Sequence, residues 1–189
     1  MLRSTLVLML LIFSVSAGAQ GFDYSYLQLN YGQIEFDDVD VDGDAFGVSG
    51  SFAINPNWHA FAGYEGASLD FSVDATTLAA GVGYNTDLTP AVDLVAQLSY
   101  QYVELDAPSV SSIDDSGFGL GVGLRFAAST EIELTAGITY VDFGDGGDDT
   151  AFSAGGLYNI NDVFSLGLGG SWADNASSYS LAGRFYFGK

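Results

Sequence analysis

The sequence lacks cysteine entirely and contains few basic residues. Its 189 residues include no Cys, three Pro, one His and four Lys or Arg against 24 Asp or Glu, so the formal net charge is −20. The absence of cysteine excludes disulfides, thiolate metal sites and cysteine nucleophiles. The scarcity of cations excludes nucleic-acid binding, which needs Lys and Arg against phosphates. Such acidity can accompany disorder, but 14% aromatic residues and regular apolar alternation indicate a folded chain.

The first nineteen residues are expected to be a secretory signal rather than part of the fold. Arg3 gives a positive start, Leu6–Val15 is an apolar run, and Ala17 and Ala19 occupy the A-x-A positions of a cleavage site. The run is shorter than the roughly 20 residues that a membrane-spanning helix needs. We therefore expect cleavage after Ala19 and a single domain over residues 20–189.

The rest of the chain alternates large apolar residues with small or polar ones. The clearest segment is Phe118–Phe126, where apolar residues at even positions alternate with three glycines and Arg125. A period of two indicates strands, because successive side chains point to opposite faces. Ten such segments can be counted, of which 58–65, 152–160 and 179–187 are weaker. The pattern predicts an all-β fold, a single antiparallel up-and-down transmembrane β-barrel of ten strands, or of eight if two weak segments are loops.

The breaks between segments are predicted to alternate in length. Short breaks and longer acidic breaks follow one another along the chain. The short ones lie near 55–57, 86–90, 127–130 and 161–162, and the longer ones near 37–44, 66–75, 105–115, 143–150 and 173–178. This is the order expected of ten strands with both termini in the periplasm and acidic loops outside the cell.

A soluble sandwich also alternates, and it is the remote alternative. Its polar face normally carries Lys and Glu, whereas the polar face here is Gly, Ala, Ser and Thr. Aromatic residues also recur at the ends of the apolar faces, such as Trp58 and Tyr64. Such positions are typical of the aromatic girdles of membrane barrels, so the membrane barrel is favoured.

The chain resembles the small outer-membrane β-barrel proteins of Gram-negative bacteria, the OmpA-like and porin-superfamily barrel domains. The resemblance rests on the signal peptide, the strand–turn rhythm, the turn phrase Gly83–Leu94 and the C-terminal strand "SLAGRFYFGK". It implies location in the outer membrane, contact with its lipid and lipopolysaccharide, and handling by the barrel-assembly machinery. In the family, alternate aromatics of the last strand are the assembly signal, and Phe185 and Phe187 match it. Gly188 and Lys189 follow, although family members usually end on the aromatic.

Some barrels of this kind are outer-leaflet enzymes with a histidine near the outer rim. The sole histidine here, His59, follows the short break at 55–57 and is therefore expected at the periplasmic end. Without a histidine at the outer rim, no Ser/His/acid set can form there. We expect no enzymatic activity, and we interpret His59 as a structural residue facing the lumen.

Four charged residues share the lumen-facing parity near the periplasmic end. They are Asp93, Arg125, Glu133 and Arg184. Buried charges are expected to pair, because unpaired ones are costly. The cluster is interpreted as an electrostatic plug, with a charged constriction in a pore as the alternative. Many glycines share this parity, and the lumen they leave could pass water or small cations.

The acidic stretch "FDDVDVDGDAFG" resembles the start of a calcium-binding loop. Asp38, Asp40, Asp42 and Asp44 are candidate ligands. An EF-hand is excluded, because position twelve falls on Ser49 instead of glutamate and no helices flank the stretch. We expect an extracellular hairpin. Weak, collective binding of Ca²⁺ or Mg²⁺ by several acidic loops is the remaining metal hypothesis, and no other cofactor is expected.

The sequence thus favours a non-enzymatic barrel with a structural or surface-interaction role in the cell envelope. A small passive pore for water or small cations is the alternative. Neither a specific ligand nor the oligomeric state can be read from these patterns.

Overall fold

The computed structural model describes residues 22–36, 41–108 and 111–187. Ten strands account for most of them. In chain order they are β1 (Tyr26–Phe36), β2 (Val41–Asn55), β3 (Trp58–Leu69), β4 (Val73–Thr89), β5 (Val92–Asp106), β6 (Ile113–Ala127), β7 (Ile132–Asp142), β8 (Asp148–Asn159), β9 (Phe164–Trp172) and β10 (Ala176–Tyr186). Short 3₁₀ turns at Asp70–Ser72 and Gly144–Gly146 join β3 to β4 and β7 to β8. Within these ranges, no helix is long and apolar enough to cross a membrane.

The strands form one closed antiparallel barrel in which each strand pairs with its neighbours in sequence. Closure is made by β1, which pairs with both β2 and β10. In that seam Tyr26 lies opposite Tyr186 on one side and Ser51 on the other. The prediction of a ten-stranded up-and-down barrel is therefore confirmed, and all three weak segments are strands.

Four short connections lie at one end of the barrel, together with the first and last described residues, and we call this the turn end. Side chains that accept backbone hydrogen bonds fix the turns. Asn55 Oδ1, for example, accepts from the N–H groups of Asn57 at 2.9 Å and Trp58 at 3.0 Å, as Asn does in Asx turns. In the β6–β7 turn, hydrogen bonds from Thr130 and Ser129 hold the pKa of Glu131 below its usual value.

The opposite end, which we call the acidic end, has shorter connections than the sequence predicts. The strands extend into the acidic breaks: β2 already begins at Val41 and β5 continues to Asp106. Asp42 and Asp44 therefore lie on a strand, and the prediction of long acidic loops was wrong in this respect. The physical reason is that alternation continues there with its phase inverted, since the apolar residues now face inward and the acids outward.

Through the middle of the barrel, the outward face is apolar and the inward face is small. Outward leucines, valines and aromatics of β1, β6 and β9 are 36% exposed or more, as Leu29, Leu120 and Leu168 illustrate. A continuous exposed apolar surface of this extent marks contact with an apolar medium. A strand of about 9–11 tilted residues spans such a layer, so the longer strands project beyond it.

Candidate functional site

The turn end of the lumen is closed by residues that precede β1. Tyr24 is buried inside the barrel, and its ring stacks on His59 with centroids 4.6 Å apart. The Tyr24 hydroxyl donates a hydrogen bond of 3.0 Å to Asp93 Oδ2. The chain thus folds its own N-terminal segment into the barrel instead of leaving it in solvent.

Arg125 is the centre of this closure. Its Nε donates to Glu133 Oε1 at 3.2 Å in an ion pair whose two side chains are almost completely buried. The guanidinium carbon also lies 4.4 Å from the ring centroid of Phe22 and 4.5 Å from that of Tyr24. Cation–π contacts gain strength when they are desolvated, as here. We call Phe22, Tyr24, Asp93, Arg125 and Glu133 the inner seal.

Arg184 makes a second buried arrangement at the same end. Its Nε donates to Gln28 Oε1 at 2.7 Å, and its guanidinium carbon lies 3.9 Å from the Tyr26 ring centroid. The Tyr186 ring lies on β10 with its centroid 5.9 Å from the same carbon. Gln28 Nε2 donates in turn to Asn30 Oδ1 at 2.7 Å. This network ties β10 to β1 across the seam that closes the barrel.

His59 is a packed residue of this end. Beside its stacking on Tyr24, its Nδ1 lies 3.4 Å from Asn85 Oδ1, and Asn85 Nδ2 donates to the Pro56 carbonyl at 2.9 Å. The ring occupies the space over Gly83, where any Cβ would overlap it. Glycine at 83 is therefore required by the close approach of the imidazole ring.

The middle of the lumen is lined largely by small residues. Lumen-facing Gly121, Gly137, Gly155 and Gly169 are only partly buried, as is Thr135. An eight-stranded barrel is about filled by its side chains, and ten strands with glycine linings enclose more. We call this region the central chamber.

The acidic end of the lumen is closed by apolar side chains. Two clusters are buried there. One contains Ile34, Ala45, Ala67 and Ala75, with Phe36, Leu69 and Leu105 packed against it, and the other contains Val103, Val141 and Phe143. We call these clusters the outer seal. Buried side chains of the described residues are therefore packed together on both sides of the central chamber.

The sequence matches, over residues 5–159, the family model described as "Outer membrane protein beta-barrel domain". The chain belongs to this family. Membership of this family places the chain in the outer membrane. The exposed apolar band is its lipid-facing surface. No curated protein matches the sequence.

Solved structures of outer-membrane proteins are similar in fold. The COG4313 outer membrane channel from Pseudomonas putida F1 aligns with a TM-score of 0.54 and 10% identity, covering 87% of this chain and 96% of that one. The KdgM porin aligns with a TM-score of 0.50 and 10% identity, covering 85% and 99%. Neisserial surface protein A has 18% identity and a TM-score of 0.44, covering 87% and 96%. Identities this low show the fold alone.

The candidate residues chosen from the sequence fall into two groups in this outer-membrane barrel. Asp93, Arg125, Glu133 and Arg184 all face the lumen at the turn end and are buried. Arg125 pairs with Glu133, whereas Asp93 accepts from Tyr24 and Arg184 contacts Gln28. Phe185 and Phe187, matched to the assembly signal, are exposed at the end of the last strand.

The candidate metal ligands do not form a coordination site among the described residues. Asp38 and Asp40 lie outside the described ranges. Asp44 Oδ1 accepts from the Tyr31 hydroxyl at 3.2 Å, and Asp70 Oδ2 accepts from the Asp42 backbone N–H at 3.4 Å. The part of the chain that the structure describes contains no group of three or more His, Asp or Glu able to hold a metal ion.

Sequence reasoning missed Phe22, Tyr24 and Gln28. A signal for the first two was present. Phe22, Tyr24 and Tyr26 alternate with Asp23 and Ser25, and their parity is that of the lumen face of β1. Their inward parity could have indicated that this segment enters the lumen, whereas nothing in the sequence indicated that Gln28 would bind Arg184.

Proposed function

We propose that this protein is a closed, non-enzymatic barrel with a structural or surface-interaction role in the cell envelope. The observation that supports it best is the packing of buried side chains in the lumen at both ends. Arg125 and Glu133 are fully buried in the inner seal, and Val141 is fully buried in the outer seal. A lumen packed at both ends stabilises the barrel and leaves its outer surface for interactions.

The surroundings of His59 support the non-enzymatic part of the proposal. The histidine is buried against Tyr24 and Asn85 at the turn end. A general base must reach the proton of a substrate or nucleophile within hydrogen-bonding distance. This imidazole faces packed side chains, and it is the sole histidine of the chain.

We expect the purified wild-type protein to show no stepwise conductance in planar lipid bilayers. We expect the packed side chains of the two seals to block the passage of water and ions along the lumen. A porin reconstituted in the same lipid serves as positive control. Stepwise conductance of the wild-type protein above background would contradict the closed barrel and favour the alternative, a small passive pore for water or small cations.

An acidic collar lies on the outer surface at the acidic end, on β1, β2 and β4 to β8. Its members are outward-facing carboxylates of the strand ends, namely Glu35, Asp42, Asp44, Asp74, Glu104, Asp106, Asp114, Asp142 and Asp148. In the proposed orientation the turn end faces the periplasm and the collar lies beside lipopolysaccharide. Lipopolysaccharide phosphates are also negative, so close contact requires divalent cations between the two. Weak collective binding of Ca²⁺ or Mg²⁺ there is part of the proposal.

Neutralising collar residues should reduce Ca²⁺ binding at low ionic strength. We expect the Asp42→Asn/Asp44→Asn variant to release less heat than wild type when titrated with Ca²⁺ in lipopolysaccharide-containing vesicles, because local negative charge is lowered. The matched control is Glu131→Gln/Asp162→Asn, which removes two carboxylates at the turn end. Equal heats for both variants and wild type would count against the collar as the binding surface.

A further inference from the structure

The connection between β3 and β4 presents an aromatic side chain to water. Phe71 is 80% exposed, the highest value among the large apolar residues of the described ranges. It lies in the 3₁₀ turn Asp70–Ser72 at the acidic end, beyond the ends of both strands. The carboxylates of Asp70 and Asp74 are exposed beside it, and charged groups avoid hydrocarbon. Phe71 therefore faces water, unlike the exposed residues of the lipid-facing band.

The backbone of this turn holds Phe71 in place. Phe71 and Ser72 have φ angles of 61° and 59°, in the left-handed region that side chains rarely adopt. The Val73 N–H donates to the Asp70 carbonyl, and Asp70 Oδ2 accepts from the backbone N–H of Asp42 on β2 at 3.4 Å. Strained residues persist only where the surrounding structure fixes them. The exposed ring is thus carried by a defined turn that is tied to the neighbouring strand.

A second exposed apolar residue lies on a nearby hairpin. Ile113 begins β6, pairs with Leu105 of β5 and is 55% exposed. Because β5 lies between β4 and β6, two strand spacings separate the two hairpin ends. Neighbouring strands lie about 4.7–4.9 Å apart, which places Phe71 and Ile113 roughly 10 Å apart around the rim. Positions i and i+7 of an α-helix are about 10.5 Å apart, so one helix can contact both residues.

The charge around these two residues is of one sign. The cations of the described ranges, Arg125 and Arg184, are fully buried at the turn end, so no described Lys or Arg is exposed on this surface. An exposed apolar anchor with a polar rim is typical of protein-binding surfaces, and the charge of the rim selects a partner of opposite charge. Collar carboxylates of β4, β5 and β6 form the rim here, namely Asp74, Glu104, Asp106 and Asp114.

We infer that Phe71 and Ile113 bind a basic amphipathic α-helix of a partner protein. The apolar stripe of the helix contacts these two side chains, and Lys or Arg beside the stripe pairs with the collar carboxylates. The inference rests on the surface-interaction role proposed above and names the class of partner. A partner with positive charge but no apolar stripe would use the carboxylates alone, and the experiment separates the two cases.

The experiment measures binding of a fluorescent synthetic helix of leucine and lysine, with its leucines on one face, to the full barrel in phosphatidylcholine nanodiscs. Anionic lipid is left out because it attracts such helices itself, and empty nanodiscs give the background. Wild type should bind the helix. Phe71→Ala should bind it about tenfold more weakly, as loss of an aromatic anchor does, and Ile113→Ala should also weaken binding. Leu88→Ala, which truncates a residue 55% exposed at the turn end, should bind as wild type does.

A second synthetic helix of the same composition, with leucines on all faces, isolates the contribution of charge. It should bind wild type more weakly than the amphipathic helix and should not respond to Phe71→Ala. Asp74→Asn/Asp106→Asn should weaken binding of the amphipathic helix at low ionic strength, because it lowers the local negative charge. Glu131→Gln/Asp162→Asn removes the same charge at the turn end and should leave binding unchanged.

Absence of binding to wild type would overturn the inference, and so would unchanged binding by Phe71→Ala, Ile113→Ala or Asp74→Asn/Asp106→Asn. Equal binding of the two synthetic helices would overturn it as well, because charge alone would then explain the attraction. Conductance is a separate readout. Stepwise conductance would contradict the closed barrel and leave the helix-binding surface standing, whereas loss of helix binding would leave the closed barrel standing.

Discussion

Arg125→Met is expected to destabilise the barrel by about 3–5 kcal/mol, the range for removing one partner of a buried ion pair. The substitution retains an unbranched apolar side chain but leaves Glu133 buried without its cation. Asp93, which lies opposite Arg125 in the strand pairing, also loses a nearby positive charge. The Phe22 and Tyr24 rings lose their cation–π partner in the same step.

Urea unfolding in lipid vesicles, followed by the fluorescence of Trp58 and Trp172, measures this loss. The double variant Arg125→Met/Glu133→Gln should recover much of it, because no uncompensated charge remains on Glu133. Arg184→Met is the matched control, since the bond between Arg184 Nε and Gln28 pairs a cation with a neutral acceptor. A hydrogen bond to a charged group contributes about 1.5–3 kcal/mol. An Arg125→Met loss no larger than that of Arg184→Met would contradict the central role of the ion pair.

Strand number could be predicted from the sequence because the membrane imposes one rule on every strand. Within the lipid-facing band, large apolar side chains point outward and small ones inward, so a period of two persists. Even the weak segment of β8 keeps it, with Phe152 and Tyr158 exposed and Ala151 buried. The weak segments therefore did not change the strand count, and ten was the correct number.

Strand length could not be predicted in the same way, because the rule changes where the barrel leaves the membrane. In β5, Val103 and Leu105 face the lumen while Glu104 and Asp106 face outward. The stretch from Val41 to Asp44 follows the same inverted order on β2. The pattern of outward apolar residues ends at these positions although the strand continues. Residues that belong to the strand were therefore predicted to be loop.

For the candidate site, the sequence could predict only which face of a strand each residue occupies and at what depth. Parity and depth placed Asp93, Arg125 and Glu133 together near the turn end. The partners that complete the network are distant in sequence: Tyr24 and Asp93 are 69 positions apart, and Gln28 and Arg184 are 156 apart. Such contacts depend on barrel closure and on the path of the N-terminal segment, which no local pattern specifies.

Tyr24→Ala is expected to destabilise the barrel by about 3–5 kcal/mol, as truncation of a buried aromatic side chain does. The ring packs between the His59 imidazole and the Arg125 guanidinium, so its removal opens a cavity inside the turn end. Asp93 also loses the hydroxyl that donates to its Oδ2. The same urea unfolding experiment measures the change.

Two further variants separate the contributions of Tyr24. Tyr24→Phe keeps the ring and removes only the donor to Asp93, so it should lose about 1–3 kcal/mol, the range for leaving a buried acceptor unsatisfied. Phe71→Ala truncates an aromatic that is 80% exposed at the acidic end, and it should change stability by about 0.5 kcal/mol or less. If Tyr24→Ala matched Phe71→Ala, the N-terminal segment would not be part of the folded lumen. Equal losses of stability for Tyr24→Ala and Tyr24→Phe would instead assign the stability of the inner seal to the hydrogen bond rather than to the ring.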